Sequence, residues 1–315
     1  MSDASIPVDL RNPGQVFACL GFLEAADILL GDAEGGFDWR DEADVKFRLS
    51  TKTDGNPFAE VLEFLASVTP RRLAPNGYKE PSKKKAKAAE ATDSGDGEDD
   101  GEDDSATLEF SETFPAAEAD RMSLPLRLGG GNRKTVTLGH WADGSTRESF
   151  KLYSGNRSAV GIASAMLGGT RTKPNKKHPS GEIKTKGIAQ LWEEQRERLI
   201  ERPFDVLTPM GGSFNFDPRG AWTAIDAGYS PNEHDHRVQA SPVVEFLAAW
   251  GLENARPDGT RKVHYAAWGI PLPPIFARAA LSGGIPALPL RHFRFDLDQS
   301  GKNKVVTFAE LEPRP

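Results

Sequence analysis

The chain contains a single cysteine, Cys19, among 315 residues. One thiol excludes a disulfide within the chain, and its place inside VFACLGFL reads as a small buried hydrophobe rather than a nucleophile. No apolar run approaches the roughly 18 residues that a membrane helix needs. The opening residues, with Asp3 and Asp9 and no basic stretch, lack the pattern of a secretory signal, so the expectation is a cytoplasmic protein. A phosphate-binding loop ending in GK[ST] and a dinucleotide fingerprint are both missing, which leaves nucleotide hydrolysis unsupported. No internal repeat is evident, and no cofactor is expected.

Charge of both signs is plentiful but segregated. Lys and Arg number 39 against 46 Asp and Glu, a net charge of -7, which by itself argues against a nucleic-acid partner. Residues 79 to 104 carry five lysines followed by an acidic tract, ten acids in all. Residues 121 to 186 are the reverse: thirteen Lys or Arg face three acids, a net charge of +10. That concentration is the electrostatic footprint of a phosphate-binding surface.

The hydrophobic content of 38% suffices for one large core or two modest ones. Asn12 and Pro13 are start signals for a helix whose apolar residues Val16, Phe17, Leu20, Leu23 and Ile28 recur at helical spacing up to Gly31. Val45 to Leu49 alternates like a strand, and Asn56-Pro57 starts a second helix. These elements define an N-terminal lobe, residues 1 to 77. Residues 78 to 106 lack apolar clusters that could offset the entropy of ordering, so a disordered insertion is predicted there. Beyond it, residues 107 to 315 show strand-like runs at Leu108 to Phe110, Leu124 to Leu128, Thr135 to Leu138 and Ser149 to Tyr153. Helices are predicted at Arg157 to Leu167, Gly187 to Ile200, Val243 to Trp250 and Pro274 to Leu281. A strand at Val263 to Trp268 precedes a closing hairpin, His292 to Leu297 and Lys304 to Leu311. The fold class is α+β, with a mainly antiparallel sheet.

Three pieces of the basic segment suit anions. GGGNRK, ending at Lys134, sets bare glycine amides beside Asn132, Arg133 and Lys134, although a plain glycine hairpin would share the pattern. SGNRSAVGIA places Asn156 and Arg157 at a helix start, where free amides attract anions; Ser154 or Asn156 could equally cap that helix. The connector TRTKPNKKHPSGEIKTK offers Arg171, Lys173, Asn175, Lys176, Lys177, Lys184 and Lys186, side chains able to follow a phosphate backbone without reading sequence. Asn and Arg side chains such as Asn132, Arg133 and Asn156 also make the bidentate contacts that distinguish base pairs.

Farther on, GGSFNFDPRGAWTAIDAGYSPNEHDH mixes aromatic and polar residues. Phe214 and Phe216 alternate with Asn215 as in a buried strand, which leaves Arg219 as the better contact candidate. His234, Asp235 and His236 crowd one short loop and lack a further metal ligand at usable spacing. His178 and His264 have no sequence-local partner to orient them as general bases.

The stretches IPVDLRNPGQVFACLGFLEAAD and FNFDPRGAWTAIDAGYSPNE together resemble the Cas-eight-like, or Csb-three, family of type I-G (formerly I-U) CRISPR systems. The likeness covers residues 6 to 30 and 211 to 233; the charged insertion departs from it, and the basic middle matches only in character. It implies a non-catalytic large subunit of the Cascade effector. Such a subunit assembles with guide RNA and the backbone subunits, recognises the short motif beside the target in double-stranded DNA, and supports R-loop formation with its displaced strand. Cleavage in such systems belongs to a recruited helicase-nuclease. Two other readings compete with a binding subunit. One is a nuclease that processes guide RNA or cuts target through His234, Asp235 and His236 or through His178; the other is an assembly protein whose basic face meets acidic subunits.

Overall fold

The computed structural model describes residues 2–80, 106–116, 119–130, 133–142, 150–153, 157–172, 179, 181, 183–210, 212–221, 238–300 and 303–313. Six α-helices lie among them: α1 (Pro13–Leu30), α2 (Pro57–Ser67), α3 (Ala159–Gly168), α4 (Ile188–Glu201), α5 (Pro242–Gly251) and α6 (Pro274–Leu281). Local chemistry sets their starts. Asn12 accepts from the Gln15 amide and Asn56 from the amides of Phe58 and Ala59, in each case just before a proline whose missing amide costs the first turn nothing. The start of α3 differs from expectation: Ser158, neither Ser154 nor Asn156, accepts from the Gly161 amide.

At 18 residues and a mean hydropathy of 1.4, α1 is the one helix among the described residues long and apolar enough to cross a membrane. Its apolar character is broken by Glu24 and Asp27, so no uninterrupted run announces it in the sequence. Here it is the central core helix, buried from Pro13 through Ala26. Its main partner is α5, and the two backbones touch: a Cβ on Gly21 would lie 2.0 Å from the Leu247 carbonyl oxygen, and one on Gly251 2.2 Å from that of Phe17. Only glycine permits this approach. Side chains from both sides of the insertion thereby share one core, with Phe17 edge-on to Tyr265 and Phe22 to Phe58.

Sheets surround this helical centre, and the fold is α+β. β1 (Ser2–Pro7), β2 (Glu34–Asp38) and β3 (Lys46–Thr51) form an antiparallel sheet in the order β1-β3-β2. β4 (Arg71–Pro75), β5 (Leu108–Ser111), β6 (Leu126–Gly130) and β7 (Arg133–Leu138) form a second, ordered β5-β4-β6-β7; β4 and β5 run parallel and the other pairs antiparallel. Two short ribbons pair β8 (Thr170–Arg171) with β9 (Ile183–Thr185) and β10 (Thr208–Pro209) with β11 (Gln239–Ala240). The last sheet joins β12 (Lys262–Trp268), β13 (Leu290–Ser300), β14 (Asn303–Val306) and β15 (Glu310–Leu311).

Two predicted strands are altered. Residues 150–153 are irregular rather than extended, because Phe150 takes φ 53° to turn its ring into the core. The second arm of the closing hairpin is divided: the Ala309 amide leaves the ladder to donate to the Arg11 carbonyl at 2.7 Å, and β15 then returns to β13.

Candidate nucleic-acid interface

The glycine turn predicted to meet phosphate joins β6 to β7. Gly129 takes φ 82°, and the register slips between Leu128 and Gly130 before Gly130 pairs with Arg133. A side chain on Gly129 would collide with the Lys134 carbonyl oxygen, 2.1 Å from its Cβ, so the hairpin closes too tightly for any other residue. Lys134 is exposed on this hairpin. Asn132 lies outside the described residues, as does the Arg133 side chain.

The sheet behind the hairpin has one apolar face, where Leu126, Leu128, Val136 and Leu138 enter the core. The other face carries charge. Strand pairing sets Arg71 of β4 directly opposite Arg127 of β6, and Arg127 opposite Thr137 of β7. Glu109 of β5 lies between the two arginines, with Oε2 3.1 Å from Arg71 Nη1 and Oε1 3.7 Å from Arg127 Nη1. Arg71 Nη2 also donates to the Gly129 carbonyl at 2.6 Å, which ties β4 to the glycine turn. Arg72, on the buried side, reaches the Ala106 carbonyl and Glu80 and so bridges the two ends of the insertion.

Arg71 and Glu109 were not singled out in the sequence. RRLAP resembles a polar exit from α2, and its pairing with a strand more than 50 residues downstream leaves no local mark. A doubled arginine opening a short Leu-Ala run was the available signal.

The remaining predicted residues are dispersed. Arg157 turns inward: its guanidinium packs so closely on Gly212 that a Cβ there would lie 1.5 Å from Nη1. Arg171 is exposed on β8, and Lys184 sits on β9, joined across the ribbon by the pairing of Arg171 with Ile183. Lys186 Nζ meets Glu194 at 2.5 Å on the surface of α4. Lys173, Asn175, Lys176, Lys177 and Asn156 lie outside the described residues. Another basic side chain, Lys151, points inward to donate to Ser123 Oγ at 2.8 Å, and burial lowers its pKa.

Arg219 is held within the protein. Its Nη2 is 2.6 Å from Asp217, and its Nε donates to the same carboxylate at 2.9 Å. Fully buried Asp217 also accepts from Asn12 Nδ2 at 3.1 Å and from the Ser241 amide at 3.1 Å. The LRNPG and FNFDPRG stretches therefore meet side chain to side chain across 205 residues of sequence. Next to them, Glu245 of α5 is fully buried and accepts from the Asp217 amide at 2.8 Å. Burial pushes its carboxyl up to about 8, and the neighbouring Asp217 charge adds to the shift. Phe214 and Phe216 are buried as anticipated but lie in no strand: Asn215 takes φ 68°, and the rings stack on Trp141 and Phe150 respectively. Aromatic stacking rather than a β-ladder explains the alternation.

His178, His234, Asp235 and His236 lie outside the described residues. His264 does find an orienting partner, Glu312 at 2.9 Å from Nδ1, supplied by the far end of the chain. No hydroxyl or thiol is hydrogen-bonded to that ring among the described residues. No protein-family profile, curated protein or solved structure matches the chain.

Proposed function

We propose that the chain is a non-catalytic subunit of a type I-G CRISPR effector, of the Cas-eight-like or Csb-three family, which binds target DNA together with the guide RNA complex. In this role it recognises the motif beside the target and supports R-loop formation in the cytoplasm, alongside the other Cascade subunits and a recruited helicase-nuclease. The observation that carries the reading is the basic sheet face. Arg71 and Arg127 share it with the glycine hairpin that bears Lys134, inside the segment whose net charge is +10. Phosphate contacts there supply salt-dependent affinity, and side chains on the hairpin supply discrimination between bases. The likeness of residues 6 to 30 and 211 to 233 to the family adds the identity of the complex. The Asn12–Asp217 bond adds a physical reason for those two stretches to occur together.

Co-expression with type I-G backbone subunits and a guide RNA tests this reading. The chain is expected to copurify in one particle and to make target duplex opening depend on its presence. A particle that assembles and opens target equally well without the chain would overturn it. In the same preparation, cleavage of precursor RNA or duplex DNA that His236→Ala abolishes would replace it with the nuclease reading.

A further inference from the structure

Glu109 bridges two arginines that the sheet places directly opposite each other. Like charges in that cross-strand position repel. The carboxylate relieves the repulsion with one oxygen toward each guanidinium, a single negative charge shared by two oxygens. A phosphodiester offers the same arrangement, one negative charge on two non-bridging oxygens. Guanidinium forks bind such anions in bidentate fashion.

The hold on Glu109 is loose at Arg127. A separation of 3.7 Å is an ion pair without a hydrogen bond, and Arg127 Nε, which is buried, has no hydrogen-bond acceptor among the described residues. Side-chain exposures of 37% for Arg71, 23% for Arg127 and 31% for Glu109 put the cluster within reach of solvent, where an ion pair contributes little and exchanges readily. Glu109 also sits on the four-residue edge strand β5, so its side chain can swing away without disturbing the β4–β6 ladder.

We propose that Arg71 and Arg127 form a phosphodiester-binding site, and that Glu109 occupies this site in the free protein as a built-in competitor. The proposal rests on the nucleic-acid-binding reading and specifies its contact. Removing the charge of Glu109 frees Arg127 and the Nη1 edge of Arg71 for the incoming strand, while Arg71 Nη2 stays on the Gly129 carbonyl. A loss of folding cannot mimic the gain in affinity that follows.

The test compares the full chain with Glu109→Gln, Arg127→Gln and the double variant. The probes are a mixed-sequence DNA duplex and an RNA hairpin, each titrated across a salt series, with thermal melts to confirm folding. Glu109→Gln is expected to bind about threefold to tenfold more tightly, with a salt slope steeper by about one, and Arg127→Gln in the double variant removes the gain. A gain with RNA alone assigns the site to guide, and a gain with DNA alone assigns it to target; either supports the proposal, as does binding by Glu109→Gln when the unaltered chain binds nothing. If the unaltered chain binds and Glu109→Gln binds no more tightly, the competitor proposal is overturned and the broader reading stands. If neither binds either probe at low salt, alone or assembled with the neighbouring subunits, both are overturned.

Discussion

At the scale of single residues, the buried carboxyl of Glu245 sets a pH dependence. Its folded-state pKa of about 8 lies above the ordinary 4.5, so the folded protein holds a proton that the unfolded chain releases. The stability this gives is fully present below pH 4.5 and is lost as the pH rises to about 8, at up to about 1.4 kcal/mol per pH unit. His140 acts in the opposite sense. Burial, assisted by the charge of Arg256, lowers its pKa well below 6.5, so stability is lost as the pH falls below 6.5. Below pH 6.5 these two contributions oppose each other, and Glu253, whose carboxyl burial also raises, adds to the loss of stability with rising pH. Glu245→Gln keeps an acceptor for the Asp217 amide and removes the charge. Thermal melts are expected to find this variant more stable than the unaltered protein at pH 8.5, with the gap closing toward pH 4.5; parallel profiles would contradict a buried neutral Glu245. Little of this was legible beforehand. Glu245 lies in PVVEFLAAWG among apolar residues, which marks burial, but its contact with Asp217 depends on a chain path that no local pattern encodes.

At the scale of elements, helices were readable and strands only partly so. Asn12-Pro13 and Asn56-Pro57 carry their start signals within four residues, and both caps form as the sequence predicts. β1, β2 and β4 carry no comparable mark. Glu34-Gly35-Gly36 is a poor strand by composition, yet Trp268 Nε1 donates to the Gly35 carbonyl and Gly35 exchanges backbone bonds with Leu272. A side chain on Gly36 would meet the Ile270 carbonyl, 2.3 Å from its Cβ. Tertiary contact, rather than propensity, makes that strand. Close backbone approach also governs the α1–α5 crossing. Gly21→Ala, which forces a Cβ against the Leu247 carbonyl, is expected to lower stability by roughly 1–3 kcal/mol or more. Gly168→Ala, at the open end of α3, is expected to be neutral or to gain up to about 1 kcal/mol. Denaturant melts of the two variants check the contrast; equal losses would mean the crossing is looser than described.

At the scale of the whole molecule, the uneven charge visible in the sequence becomes a sheet face and several dispersed groups rather than one patch. Arg157 and Lys151 turn inward, Lys186 is paired with Glu194, and Arg219 is held by Asp217. Arg71, from before the insertion, joins the face instead. Charge counting along the chain locates the segment, but only folding decides which of its side chains meet solvent. Within the described basic segment, Arg127 is partly buried on the sheet, Lys134 is exposed on the hairpin and Arg171 is exposed on its own ribbon.

The central claim is that this surface binds nucleic acid through phosphate. Filter binding of the full chain to target duplex across a salt series, alone and assembled with its neighbouring subunits, measures it directly. The prediction is an affinity that falls linearly on logarithmic axes with a slope of about -3 or steeper, as the neutralisation of several phosphates requires. An affinity that does not respond to salt, or no binding in either state, would contradict the account.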